Sequence, residues 1–162
     1  MLLAAIGGGR RVAIPLDTVT RLEQVRSETV ERVGSREVVQ YRGEILPIIR
    51  LDRYLGAYAD ATRTDLEVVV YADQRQGGRS VAIVVEEIVD VVDASTVVHS
   101  DIDDHGLLGS AVIGDRVTEL LDVRAAILAA DPAFYTTTPA AFPSPDAFDF
   151  DGAGSTTPLM EV

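Results

Sequence analysis

The chain has 162 residues and contains no cysteine, no tryptophan and no lysine; all 14 of its basic residues are arginine. Without cysteine there is no thiol nucleophile, no disulfide and no thiolate zinc site. Without lysine there is no phosphate-binding P-loop, no Schiff base and no lysine of the kind phosphorylated receiver domains use. An all-arginine chain is what a GC-rich genome produces. No apolar run reaches the roughly 18 residues of a spanning helix. Met1 to Ile6 is apolar, but no positive charge precedes it and Gly7-Gly8-Gly9 follows at once, so it reads as a strand rather than a signal peptide. The expectation is a cytoplasmic protein without direct membrane insertion. Its net charge is −12 and no basic cluster is evident, which argues against nucleic acid and anionic lipid as partners.

What is present is a repeat. Gly8-Gly9-Arg10-Arg11-Val12-Ala13-Ile14-Pro15-Leu16-Asp17-Thr18-Val19 is echoed 69 residues later by Gly77-Gly78-Arg79-Ser80-Val81-Ala82-Ile83-Val84-Val85-Glu86-Glu87-Ile88. A fixed-offset echo means the same small unit occurs twice. Residues 2–7 and 10–15 predict a hairpin, and 19–25 a third strand followed by polar sequence through Ser35. Residues 37–42 and 44–51 flank Gly43 and predict a second hairpin. Pro47 lies inside its second strand, which must therefore be at an edge or bulged there. A short helical turn then stops at Gly56. The second half predicts strands over 66–71, 81–85, 88–92, 111–113 and 117–123, with a helix over 124–130. Gly114-Asp115 corresponds to the Gly43 connection if Arg116 is an insertion. Five short strands per half, joined by glycine turns, predict an all-β fold of two small pseudo-symmetric barrels with short helical segments.

Composition changes after Ala130. Residues 131–162 hold five of the seven prolines, all four phenylalanines, five acidic residues and no arginine. Such sequence buries too little apolar surface to offset its ordering entropy and predicts a disordered acidic Pro/Phe tail. The expected folded domain is 1–130, with approximate halves 1–56 and 66–130. In the tail, Phe142 to Asp151 alternates aromatic and acidic residues, a pattern shared with some docking segments.

Chemistry-bearing residues are few. His99, Asp101 and His105 could be drawn as a metal cluster of a metal-dependent enzyme, but Val112 stands where an EF-hand needs its glutamate. Glu86 and Glu87 are adjacent on a strand and point to opposite faces, so they do not converge on one substrate. No G-x-S-x-G elbow is present. The residues thus predict no catalytic centre, no metal and no cofactor, and a protein-binding module is the alternative to an enzyme. Arg42-Gly43 stands out, since an arginine before a strand-connecting glycine sits at a rim where its planar fork can reach a partner's carboxylate. An ordinary exposed arginine, or one paired with Glu23 or Glu44, fits the same sequence.

Val-Ala-Ile-Pro-Leu early, Tyr41-Arg42-Gly43-Glu44-Ile45-Leu46-Pro47 in the middle and Gly114 to Val123 late resemble the CheW-like domain of bacterial chemotaxis, over about residues 1 to 130. The resemblance implies two pseudo-symmetric five-stranded SH3-like β-barrels. It also implies a non-catalytic scaffold that couples membrane chemoreceptors to the chemotaxis histidine kinase. Such a scaffold is either a free-standing adaptor or the kinase's own C-terminal regulatory domain. Adaptors usually carry Asn-Leu-Arg-Gly and Pro-Val-apolar-Asp-Leu. Here the stretches read Gln40-Tyr41-Arg42-Gly43 and Pro47-Ile48-Ile49-Arg50-Leu51, closer to the kinase domain. The implied partners are the kinase regulatory domain and the cytoplasmic tips of chemoreceptors, within arrays at the inner face of the membrane. The implied receptor groove falls on Val19, Leu22, Ile88 and Val91, with Arg42 and Gly43 at its rim. An orphan double-barrel binding module outside chemotaxis is the remaining alternative.

Overall fold

A computed structural model describes residues 1–58, 60–73, 78–93 and 104–136. In chain order the elements are β1 (Leu2–Ala5), β2 (Arg11–Ile14), β3 (Val19–Arg26), β4 (Val30–Val33), β5 (Arg36–Tyr41), β6 (Glu44–Arg50), α1 (Leu51–Tyr54), β7 (Asp65–Asp73), β8 (Arg79–Val85), β9 (Glu87–Val91), β10 (Leu107–Ile113), β11 (Arg116–Leu121) and α2 (Val123–Ala130). They form a five-stranded sheet in the order β10-β11-β2-β1-β9 and a six-stranded sheet in the order β3-β7-β8-β6-β5-β4.

The two sheets are the same object built twice. Strands β10, β11, β2, β1 and β9 of one correspond to β5, β6, β8, β7 and β3 of the other. The registers agree in detail. Leu2, Leu3 and Ala4 face Ile14, Ala13 and Val12 in one hairpin, as Val69, Val70 and Tyr71 face Ile83, Ala82 and Val81 in the other. The parallel pairings match as well, Leu120 beside Ala13 and Ile48 beside Ala82. Each sheet therefore takes its β1–β2 or β7–β8 hairpin from one repeat and its remaining strands from the other. This corrects the division into halves 1–56 and 66–130: neither half of the sequence is a barrel.

Strand alternation divides the core into three. Leu2, Ala4, Val12, Ile14, Val69, Tyr71, Val81 and Ile83 point between the sheets, where Ile49, Leu51, Leu121, Val123, Ile127 and Phe134 join them. The opposite faces close on themselves: Leu3, Ala13, Ala111, Ile113 and Leu120 in one sheet, and Val39, Leu46, Ile48, Val68, Val70, Ala82 and Val84 in the other. At ~0.8 kcal/mol per buried methylene, this branched aliphatic packing replaces the aromatic core that residues 1–130 cannot build.

Several local expectations are revised. The polar stretch after β3 contains a strand, β4, whose Val30 packs against the six-stranded sheet's core; only one apolar residue of the four is inward, too weak an alternation to read. Arg116 is no insertion, because Tyr41 pairs with Glu44 and Ile113 with Arg116, so Arg42-Gly43 and Gly114-Asp115 are equivalent two-residue turns. Pro47 pairs with Val38 on one side, and the ladder with β8 begins only at Ile48 on the other, so no strand asks for its missing N–H there.

The folded chain also continues past Ala130. Asp122 caps α2 by accepting from the Ala125 N–H at 3.0 Å, and the helix buries Val123, Ala126 and Ile127. Asp131 follows at 4% exposed, with Arg36 at 2.9 Å and Arg79 at 3.7 Å. Phe134 is 1% exposed, with the Arg79 guanidinium 4.6 Å above its ring and Tyr135 against it edge-on. Residues 131–136 thus belong to the packed domain. The tail expected to begin at Asp131 begins no earlier than residue 137, and residues 137–162 lie outside the described residues. Average composition masked the boundary, because one buried phenylalanine and one paired aspartate suffice to anchor six residues.

Candidate partner-docking site

β3 and β9 each end one side of their sheets, opposite β4 and β10, and are equivalent in the repeat. Each carries one extra residue at the same place. The pairing of β3 with β7 slips between Val19 and Arg21, and that of β9 with β1 slips around Val89, between Ile88 and Asp90. A bulge bends its strand and re-aims the side chains beyond it. On the near side of each bulge, Val19 and Ile88 are half-buried against the inter-sheet core. Beyond it, Leu22 and Val91 are 43% and 53% exposed. Val89 and Leu16 are exposed nearby in sequence. The four predicted apolar positions thus divide into two that pack on the shared core and two on the same face that are exposed, in matched pairs. Thr20, the extra residue of β3, donates its hydroxyl to the Val70 carbonyl at 3.0 Å, which fixes the bulge.

Arg42 and Gly43 form the tip of the β5–β6 hairpin with φ of 50° and 81°. Both positions of such a turn are left-handed, which suits its place between twisted strands. The equivalent turn has Gly114 and Asp115, residues that accept this conformation readily. Arginine does not, so the side chain at position 42 is kept against a local cost. Its guanidinium lies 5.3 Å from the Tyr41 ring centre. Tyr41 donates its hydroxyl to Glu23 on β3 at 2.6 Å, and this bond to a carboxylate holds the tyrosine above its ordinary pKa. The turn is therefore tied to β3 beside Leu22.

Two surfaces have no sequence signature beforehand. On β10–β11, Val112 and Val117 form a cross-strand pair on the outer face, 58% and 69% exposed, with Leu108 near them in the strand. A cleft of about 580 Å³ runs between the β4–β5 hairpin, β6, α1 and the end of α2, and Arg32, Arg36, Arg50 and Arg53 line it together with Glu37. Arg50 pairs with Glu37 through two hydrogen bonds, at 2.7 and 3.3 Å, and this holds the carboxyl below its ordinary range. The arginines are three to twenty-one residues apart in sequence, so only the fold shows that they cluster. An aspartate at position 50 would face Glu37 with like charge, whereas Arg50 pairs with it.

The described residues contain no group of three or more His, Cys, Asp or Glu side chains placed to hold a metal ion. His105 is exposed, while His99 and Asp101 of the metal reading lie outside the described residues. No described helix is long and apolar enough to cross a membrane.

Comparison with known proteins bears on the fold and the family. Residues 1–130 match the CheW-like domain family. The chain is 29% identical over 116 residues to the chemotaxis protein CheA of Treponema pallidum (strain Nichols), covering 68% of this chain and 14% of that protein. Among solved structures, the scaffolding protein TtCheW of Thermoanaerobacter tengcongensis superposes with a TM-score of 0.58 at 14% identity, over 74% of this chain and 86% of that one. The two-sheet architecture with its repeated registers and the match over residues 1–130 lead to one assignment: the chain belongs to the CheW-like domain family.

Proposed function

We propose that this domain couples the cytoplasmic tips of chemoreceptors to the chemotaxis histidine kinase, with the bulged strands β3 and β9 as its receptor-docking face. The observation that carries the reading is the matched exposure of Leu22 and Val91 on the two outer strands, each beyond its own bulge. A helical receptor tip offers an apolar stripe with charged flanks, and two exposed aliphatic residues with an arginine near one of them suit such a stripe. Arg42 is positioned to take a carboxylate at the rim of this face. Gly43 permits the turn that presents it. The relation to part of a chemotaxis protein CheA, together with Tyr41 and Arg50 in place of the adaptor residues, favours a kinase regulatory domain or a protein of that lineage. Its place is then the cytoplasmic receptor array at the inner face of the membrane.

The test is capture at micromolar concentration with a receptor cytoplasmic fragment and, separately, a kinase regulatory domain. Binding to at least one is expected, and the pair Leu22→Asp with Val91→Asp should abolish receptor binding while thermal stability stays within ~1 kcal/mol, as for exposed positions. Arg42→Glu should weaken the same contact about tenfold or more, the cost of a charged hydrogen bond. Recovery of neither partner would refute the coupling role; undiminished receptor binding by the double variant would remove the docking face from β3 and β9.

A further inference from the structure

The arginine-lined cleft is at odds with the rest of the molecule. In a chain of net charge −12 it gathers Arg32, Arg36, Arg50 and Arg53. Their carboxylate partners among the described residues are Glu37 and Asp131. Glu37 is committed to Arg50, and its contact with Arg53 is a looser 3.5 Å. Arg53 is 64% exposed and Arg36 47% exposed, and Arg32 has no carboxylate within ion-pair distance among the described residues. Two positive charges are left in excess in a concave site, where low-dielectric walls strengthen their field. The apolar part of its floor is Pro47, Tyr54, Ala129 and Ala130, since Ile48, Ile49 and Ala126 beside them are buried.

The chain itself carries the complementary segment, and it leaves the fold next to the cleft. Pro132 lines the cleft, Asp131 already lays one carboxylate against Arg36, and the described chain ends at Thr136. Residues 137–162 contain Asp146, Asp149, Asp151 and Glu161, no basic residue, and Phe142, Phe148 and Phe150 interleaved with the acids. Asp146 lies ten positions beyond Thr136, a reach of up to about 35 Å, ample to return to a site four residues upstream of the exit. Tethering at that distance gives a millimolar effective concentration, so even a weak contact is populated.

We propose that the acidic segment Asp146–Asp151 of this same chain docks in the cleft formed by β4–β5, β6, α1 and α2, its aspartates against Arg32, Arg36 and Arg53 and its phenylalanines on the apolar floor. The cleft lies on elements distinct from the β3 and β9 face, so this intramolecular contact stands or falls independently of the receptor-docking reading. Docked, the segment covers the arginines of this cleft, and a competing acidic partner or added salt releases it.

The absence of cysteine makes the test direct. Ala147→Cys in the full chain places a single spin label inside the acidic run. At low salt, paramagnetic broadening is expected at the amides of Ser35, Arg36, Arg53, Ala129 and Ala130. It should disappear at about 0.5 M NaCl, where screening shortens to a few ångström, and in the variant that also carries Asp146→Asn, Asp149→Asn and Asp151→Asn. Broadening that merely surrounds Thr136 and ignores both salt and the three asparagines would overturn the proposal, as would broadening centred elsewhere on the fold. Broadening of an unlabelled-thiol isotopic partner mixed with the spin-labelled chain, at equal strength, would assign the cleft to a second copy and equally overturn it.

Discussion

Phe134→Ala tests whether the fold extends past Ala130. The ring is 1% exposed in the inter-sheet core, beneath Arg79 and against Tyr135. A buried phenyl group hides on the order of 150 Å² or more, which at ~25 cal/mol per Å² is close to 4 kcal/mol, an upper bound because denatured chains already bury some area. The cavity left behind adds to this, and buried Phe→Ala changes cost about 3–5 kcal/mol. Loss of the cation–π contact contributes roughly another 0.5–1 kcal/mol, already inside that range. For a domain of this size, about 3 °C of Tm accompanies each kcal/mol, so a fall of about 9–15 °C is expected. With no tryptophan in the chain, far-UV circular dichroism in urea and calorimetry are the suitable probes. Phe134→Leu should retain most of the stability, losing about 1–1.5 kcal/mol. A loss below ~1 kcal/mol for Phe134→Ala would show that residues 131–136 are not part of the cooperative fold.

Further outcomes can be checked on the same material. Glu37 is held below its ordinary pKa of 4.5 by Arg50, so its stabilisation is fully present above that value and is lost as pH falls through the lower folded value. Glu37→Gln should cost about 1–3 kcal/mol at neutral pH, and the gap to the parent should narrow in urea titrations below pH 4.5; a gap independent of pH would contradict the pairing. Arg42→Gly relieves a left-handed arginine, so up to ~1 kcal/mol of added stability is expected together with weaker receptor binding; a destabilised hairpin would mean that the side chain serves the fold. Arg10→Ala breaks a forked contact to Glu119 at 2.9 Å and a bond to the Leu55 carbonyl at 2.7 Å, and should lower stability by about 1–3 kcal/mol in chemical denaturation; no change would mean that this link between β2, β11 and the end of α1 is dispensable.

Much of this architecture was legible because the repeat writes the same constraints twice. Val12-Ala13-Ile14 and Val81-Ala82-Ile83 alternate between two cores in both copies, and the turns they leave are marked by glycine. Val19 and Ile88 could be matched by offset alone, and the structure gives them the same surroundings. What the sequence hid was relational. The bulges at Thr20 and Val89 leave no trace in residue type, yet they bring Leu22 onto the same face as Val19, and Val91 onto the same face as Ile88, opposite Val69 and Leu2. Arg32, Arg36, Arg50 and Arg53 look like scattered surface charge until β4, β5, β6 and α1 are laid side by side. Phe134 was averaged into the acidic segment that follows it.

The exchange of hairpins between the two sheets carries one more consequence. If the loop over residues 57–64 were cut, neither piece would own a complete sheet: β1–β2 would lack β9 to β11, and β7–β8 would lack β3 to β6. Folding must therefore wait for strands from opposite ends of the chain, which makes the domain one cooperative unit despite its three cores. The same arithmetic bears on origin. A lone ancestral unit could have completed its sheet only by trading hairpins with an identical molecule, so the present chain is laid out as a strand-exchanged dimer joined end to end.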